Sequence, residues 1–223
     1  MGLCNGVGAR QGGMHYIPYI GTKYQDGFAK GLKLLILGDS HHSGTNQRTA
    51  ASDVITDHIR GESYPFFDKI QHTVTGNPAK SEGERRAFWE KVAFTNLIQE
   101  SMGAPSEAPT KAQWEFAWSC FPEMVSFARP DLIFCFTRRG WNIQAKFNSV
   151  FSGENLYNIQ TANDYAYLYD FSNIAPGYNA VAGCFNHPSS RGYRPDDWHP
   201  WAELLLQHAT SARYKDLPHK DPS

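Results

Sequence analysis

Cysteine is scarce and badly spaced for metal work: Cys4, Cys120, Cys135 and Cys184 lie far apart, with no C-x-x-C pair among them. Thiolate zinc sites and iron–sulfur clusters need clustered cysteines, so neither is expected, and no metal or organic cofactor is called for. No apolar stretch approaches the roughly 20 residues that span a bilayer, and no leader segment is recognisable. The expectation is a cytoplasmic protein without a membrane partner, its thiols reduced. An excess of positive charge is missing too: 21 Lys and Arg stand against 22 Asp and Glu, a formal net charge of −1. That balance excludes the broad basic field of a strongly basic nucleic-acid binder, so any footprint on DNA must be local. No internal repeat is present.

What is present is the make-up of a globular domain, 41% hydrophobic and 19% charged, in 223 residues. That is chain enough for one sizeable core and short for two, so one domain is expected over residues 1–223, with 1–30 an N-terminal extension and 215–223 a frayed tail. A monomer is expected. Four short apolar runs, Leu34 to Leu37, Val92 to Phe94, Leu132 to Phe136 and Ala180 to Phe185, read as buried strands. Cys135 and Cys184 sit inside two of these runs, where a thiol behaves as a small hydrophobe.

The intervals carry helical signals. Ser81 with Glu84 and Thr110 with Gln113 fit capping boxes, and Trp114, Trp118, Phe121 and Val125 recur at helical spacing. Pro122 predicts a break there, with a second short helix running to Ala128. Gly103 to Thr110 reads as a loop, and Tyr165, Tyr167, Tyr169 and Phe171 alternate as in an edge strand or hairpin. The last helix is predicted to start at Pro200. Strands alternating with helices predict an α/β fold: a single-domain three-layer sandwich with a central four-stranded parallel sheet flanked by helices.

In an open parallel sheet the ligand site lies beyond the carboxyl ends of the strands. The first run is followed by Gly38, Asp39, Ser40, His41 and His42; the second by Thr95 and Asn96; the third by Thr137, Arg138 and Arg139; the fourth by Asn186, His187, Pro188, Ser189, Ser190 and Arg191. A carboxylate, an amide, a histidine and several arginines gathered on one edge suit hydrolysis of a polar, anionic substrate. Arg194 is a further local cation, whereas Arg85 and Arg86, on a predicted helix, read as a solvated face.

Leu37-Gly38-Asp39-Ser40, Phe94-Thr95-Asn96, Pro130-Asp131 leading into the third strand, and His187-Pro188-Ser189 occur in that order. The set resembles the uracil-DNA glycosylase superfamily, with its GQDPYH or GEAPG motif after the first strand, an Asn after the second and an HPS motif after the last. The resemblance spans residues 32 to 192. It implies removal of uracil, or another deaminated base, from DNA to leave an abasic site, without a cofactor. It assigns Asp39 to orienting the attacking water and His187 to stabilising the charge on the departing base. Asn96 would read the uracil edge, and Phe66, from Tyr64-Pro65-Phe66, would stack on the flipped base with Phe67 in the core. Gly38, Ser40 and His42 would line the substrate site, His42 being nearest by position to the aromatic that excludes thymine. Ser189, Ser190 and Arg191 would probe the DNA, with Arg138 and Arg139 as further contacts. Arg191 falls where the family usually carries a bulky wedge, His41 replaces the Pro of the first motif, and the iron–sulfur cysteines of the GEAPG branch are missing.

The same residues also resemble SGNH esterases. There Ser40 would be the nucleophile, Asn96 an oxyanion donor, and Asp196 with His199 the rest of a triad. That alternative leaves His187-Pro188-Ser189 and Pro130-Asp131 without a role.

Overall fold

The computed structural model describes residues 13–42, 51–103, 107–137, 157–161, 164–171 and 174–213, with the backbone alone at 42, 157–161, 164–170, 212 and 213. Cys4, Arg138, Arg139 and the tail beyond 213 lie outside the described residues.

The four predicted strands are β2 (Leu34–Gly38), β4 (Val92–Asn96), β6 (Leu132–Cys135) and β9 (Asn179–Cys184), and they pair in parallel in the order β4-β2-β6-β9. They form the centre of a seven-stranded sheet. At one edge β1 (Tyr19–Ile20) runs antiparallel to β4, which builds part of the expected N-terminal extension into the sheet. At the other, β8 (Asp164–Asp170) pairs antiparallel with β9, and β7 (Tyr157–Thr161) with β8. The tyrosine alternation therefore marks a hairpin. A separate two-stranded sheet joins β3 (His41–His42) to β5 (Ser101–Met102).

Parallel strands covered on both faces need apolar residues at every position, and β2 has them. Leu34 and Ile36 face a core shared with α1 (Ala51–Arg60), α2 (Pro65–Thr75), α3 (Glu82–Trp89) and α5 (Pro195–Arg213). Leu35 and Leu37 face a second core filled by α4 (Lys111–Ala128) through Trp118, Phe121, Met124 and Val125. The result is the expected three-layer sandwich. Cys120, Cys135 and Cys184 are buried free thiols. Gly183 lets α5 lie close on the sheet, because a Cβ there would strike the Leu205 side chain.

The local signals for helix starts hold. Ser81 Oγ accepts the Glu84 N–H at 3.2 Å while the Glu84 carboxylate accepts the Ser81 N–H at 3.1 Å, and Thr110 and Gln113 repeat the pattern. The two proline expectations do not. α4 passes through Pro122 unbroken to Ala128, so there is no second short helix. A mid-helix proline costs about 3 kcal/mol, but each large apolar side chain buried on both sides of it returns about 1.5–3 kcal/mol, and Trp118, Phe121, Met124 and Val125 are all buried. The last helix starts at Pro195 rather than Pro200. Pro195 needs no N–H partner in the first turn, and Asp196 and Asp197 favour the positive end of the helix, so the earlier proline is the better start. Pro200 sits inside the helix on its exposed side.

Pro130-Asp131 has a structural part. The Asp131 carboxylate accepts the Lys33 N–H at 2.8 Å, and the Asp131 N–H donates to the Lys33 carbonyl at 2.9 Å. Its own carbonyl accepts the Val181 N–H at 3.0 Å, so one residue locks the starts of β2, β6 and β9 in register.

Candidate active site

The chain leaves β2 toward β4 on one side and β6 toward β9 on the other, so the strand order reverses between β2 and β6, and open parallel sheets bind ligands beyond the carboxyl ends at such a point. At the end of β2, Gly38 stands opposite Asn96 at the end of β4. The Asn96 amide lies across the strand end in the space a side chain at 38 would take, since a Cβ on Gly38 would collide with Asn96 Oδ1. Two more bonds tie the strands together past this point: Leu97 N–H to the Gly38 carbonyl at 3.0 Å and Ile98 N–H to the Asp39 carbonyl at 2.9 Å. Asp39 is held beneath the surface, 5% exposed, while Ser40 and Asn96 are partly exposed. His42 belongs to β3, and its side chain lies outside what the structure describes.

Phe66 occupies the first turn of α2, half-buried, and Phe67 beside it is core, as the sequence predicts. The Phe66 ring lies 5.3 Å from the His187 imidazole and 6.4 Å from Phe94, which in turn packs at Gly38. Asn96, Gly38, Phe94, Phe66 and His187 thus form one continuous wall. Asp39 follows directly from it.

His187 follows β9, and its ring is oriented by its own loop. The Ser189 N–H donates to His187 Nδ1 at 3.1 Å. An imidazole nitrogen that accepts cannot carry the proton of the neutral ring, so Nε2 is the donor. Ser190 N–H closes back onto the His187 carbonyl at 2.8 Å, and Ser189, Ser190 and Arg191 project from the turn, exposed. From α2 Lys69, one helical turn beyond Phe66, donates to the Pro188 carbonyl at 2.8 Å, its ammonium over the Tyr193 ring. Tyr193 shares a 2.7 Å hydrogen bond with Thr73 and is buried, so burial pushes its hydroxyl pKa up. Neither Lys69 nor Tyr193 has a sequence signal beyond its neighbourhood, because each acts across about 120 positions of chain.

Between His41, Phe94, Asn96, Val54 and Tyr16 lies a cavity of about 30 Å³. That is one water's share of liquid volume. Tyr16 was not among the expected residues. It comes from a segment without regular structure.

The arginines divide. Arg86 pairs with Glu82 at 2.7 Å and Arg85 reaches the Ile59 carbonyl at 3.4 Å, so both serve the α3 surface. Arg194 is exposed and 3.9 Å from Asp197. Among the described residues no group of three His, Cys, Asp or Glu side chains gathers to hold a metal ion.

Asp196 and His199 are not brought together behind Ser40. Asp196 pairs with His72 at 2.8 Å, while His199 meets the Thr73 carbonyl at 3.0 Å through Nδ1 and Glu203 at 3.5 Å through Nε2. Both ring nitrogens are therefore taken up on α2 and α5. Thr73 lies about 10 Å along α2 from Phe66 at 1.5 Å per residue.

No protein-family model matches the chain, and no curated protein does either.

Proposed function

We propose that this protein is a DNA glycosylase that hydrolyses the N-glycosidic bond of uracil, and by the same chemistry of other deaminated bases, to leave an abasic site. The observation that carries the reading is the His187 imidazole, held by the Ser189 N–H with Nε2 as donor and set against Phe66 in a wall continuous with Asn96 and Gly38. A triad hydrolase gains no comparable support, because Asp196 and His199 are committed elsewhere.

In this reading the exposed Ser189, Ser190 and Arg191 grip the DNA backbone while the target nucleotide is flipped from the stack. Phe66 offers its ring to the base, and the Asn96 amide supplies one acceptor and one donor to the base edge. As the glycosidic bond breaks, the His187 Nε2–H donates to the charge that develops on the departing base. The Asp39 carboxylate aligns the attacking water or stabilises the sugar cation. The cavity beside Asn96 holds about one water, so base binding requires its rim to open. No lysine attacks the sugar in this scheme, and the product keeps an uncut backbone.

The test is to incubate the protein with a uracil-containing oligonucleotide in EDTA and then treat with alkali. Strand cleavage at the uracil position, only after alkali, is expected. No alkali-labile product on any deaminated-base substrate overturns the reading.

A further inference from the structure

Residues 13–16 precede the first strand without forming helix or strand themselves, yet one buried side chain ties them down. Gln99, three residues beyond Asn96, is 1% exposed. Its Oε1 accepts the N–H of His15 at 3.0 Å and of Tyr16 at 2.9 Å, and its Nε2 donates to the Asn96 carbonyl at 2.8 Å. The Gln99 carbonyl adds a 3.0 Å contact with His15 Nδ1. Further back, the His15 ring packs 4.6 Å from Phe116, and the Met14 N–H donates to the Glu123 carboxylate at 2.7 Å. The segment is a strap between α4 and the loop after β4, and its last residue, Tyr16, lines the cavity beside Asn96.

The other lining side chains among the described residues come from α1, α2, β3 and β4. Phe67 and Phe94 belong to the core and cannot withdraw without opening it. Tyr16 comes instead from the strap, whose backbone Gln99 holds through the Tyr16 N–H. In a space of about 30 Å³, a ring that stands in the wall decides how much more can be admitted.

We propose that Tyr16 is the size filter that sets which bases the site accepts, and that Gln99 is the positioning residue that seats it while holding the Asn96 backbone. This rests on the glycosylase reading. A steric wall discriminates by roughly 10–200-fold per methylene-sized difference, so removing the ring should relax selectivity on that scale.

The experiment measures single-turnover excision from oligonucleotides carrying uracil, a uracil with a bulky 5-substituent, or hypoxanthine. Tyr16→Ala should raise the rate on the bulkier bases relative to uracil by about 10-fold or more, while Tyr16→Phe, which keeps the ring, should retain the wild-type ratio. Gln99→Leu should shift the ratio in the direction of Tyr16→Ala. Gln99→Glu keeps an acceptor for the two strap N–H groups but loses the donor to the Asn96 carbonyl, so it should keep the wild-type ratio between bases while slowing excision of all of them. If Gln99→Leu does not fold, the Tyr16 pair decides alone. Unchanged ratios in Tyr16→Ala overturn the inference while leaving the glycosylase reading intact, as does a wild type that already excises the bulky bases as fast as uracil. A wild type inactive on every base overturns both.

Discussion

His187, Asp39 and Asn96 stand at three strand ends with different chemical capacities, and substitutions should separate them. The His187 Nε2–H is a donor aimed by the Ser189 N–H on the other ring nitrogen. A donor that meets charge only as it develops matters to the transition state more than to binding, so His187→Ala should slow single-turnover excision by about 10²-fold or more with little change in DNA affinity. Asp39→Asn should behave alike. Asn96→Asp replaces a donor with an acceptor at the base edge and should change the preference between uracil and cytosine as well as the rate. Ser40→Ala should leave excision largely intact, since no nucleophilic role is assigned to its hydroxyl. If all three strand-end variants fold and excise uracil at the wild-type rate, the assignment of these residues is wrong even where the fold is right.

Helix α2 acts as a clamp between the wall at the strand ends and the loop after β9. Phe66 meets His187 at one end, Lys69 donates to Pro188, Thr73 binds Tyr193, and His72 pairs with Asp196 at the start of α5. Lys69→Met keeps an apolar side chain of similar length but removes both the ammonium over the Tyr193 ring and the charge-assisted bond, the latter worth about 1.5–3 kcal/mol. The expected result is a lower Tm by thermal denaturation together with slower excision, because the His187 turn loses its anchor. An unchanged Tm and rate would show that the clamp carries no load. These cross-chain bonds also mark where sequence reading stops. The strand-end placement of Asp39, Asn96 and His187 was legible because each lies two residues past an apolar run, and a parallel sheet sends all such ends to one side. The capping boxes were legible because they are bonds within four residues. Lys69, Gln99 and Tyr16 were not, because their partners lie 80 or more residues away and no local pattern encodes that pairing. The prolines misled for a related reason: the burial that keeps α4 continuous through Pro122 is a property of the assembled layers.

At the scale of the whole molecule, among the described residues four helices crowd one face of the sheet and α4 covers the other, and the crowded face hides a titratable ring. His58 on α1 is 1% exposed, packed against Tyr64, Phe67 and Trp89, with the Asp68 carboxylate 3.7 Å from Nε2 and Arg85 on α3 acting on it from the neighbouring helix. Burial lowers its pKa below the ordinary 6.5, and the attraction of Asp68 does not cancel that loss of solvation. His208 is lowered by burial in the same sense. With the folded pKa depressed, the unfolded chain binds more protons between that lower value and about 6.5, so stability is fully present above about 6.5 and falls as the solution is acidified through the window. Glu84 and Glu90, held low by hydrogen bonds from Lys80 and Lys23, contribute only as pH falls below their ordinary value of 4.5. Thermal melts between about pH 7.5 and pH 5.5 therefore cover the range in which the lowered pKa values of His58 and His208 make stability fall with acid. Tm should fall across that interval in the wild type and fall less in His58→Phe, which keeps a ring of similar size among the same aromatic neighbours but has nothing to protonate. Parallel curves for the two proteins would show that His58 is not the group whose protonation opens the helical layer.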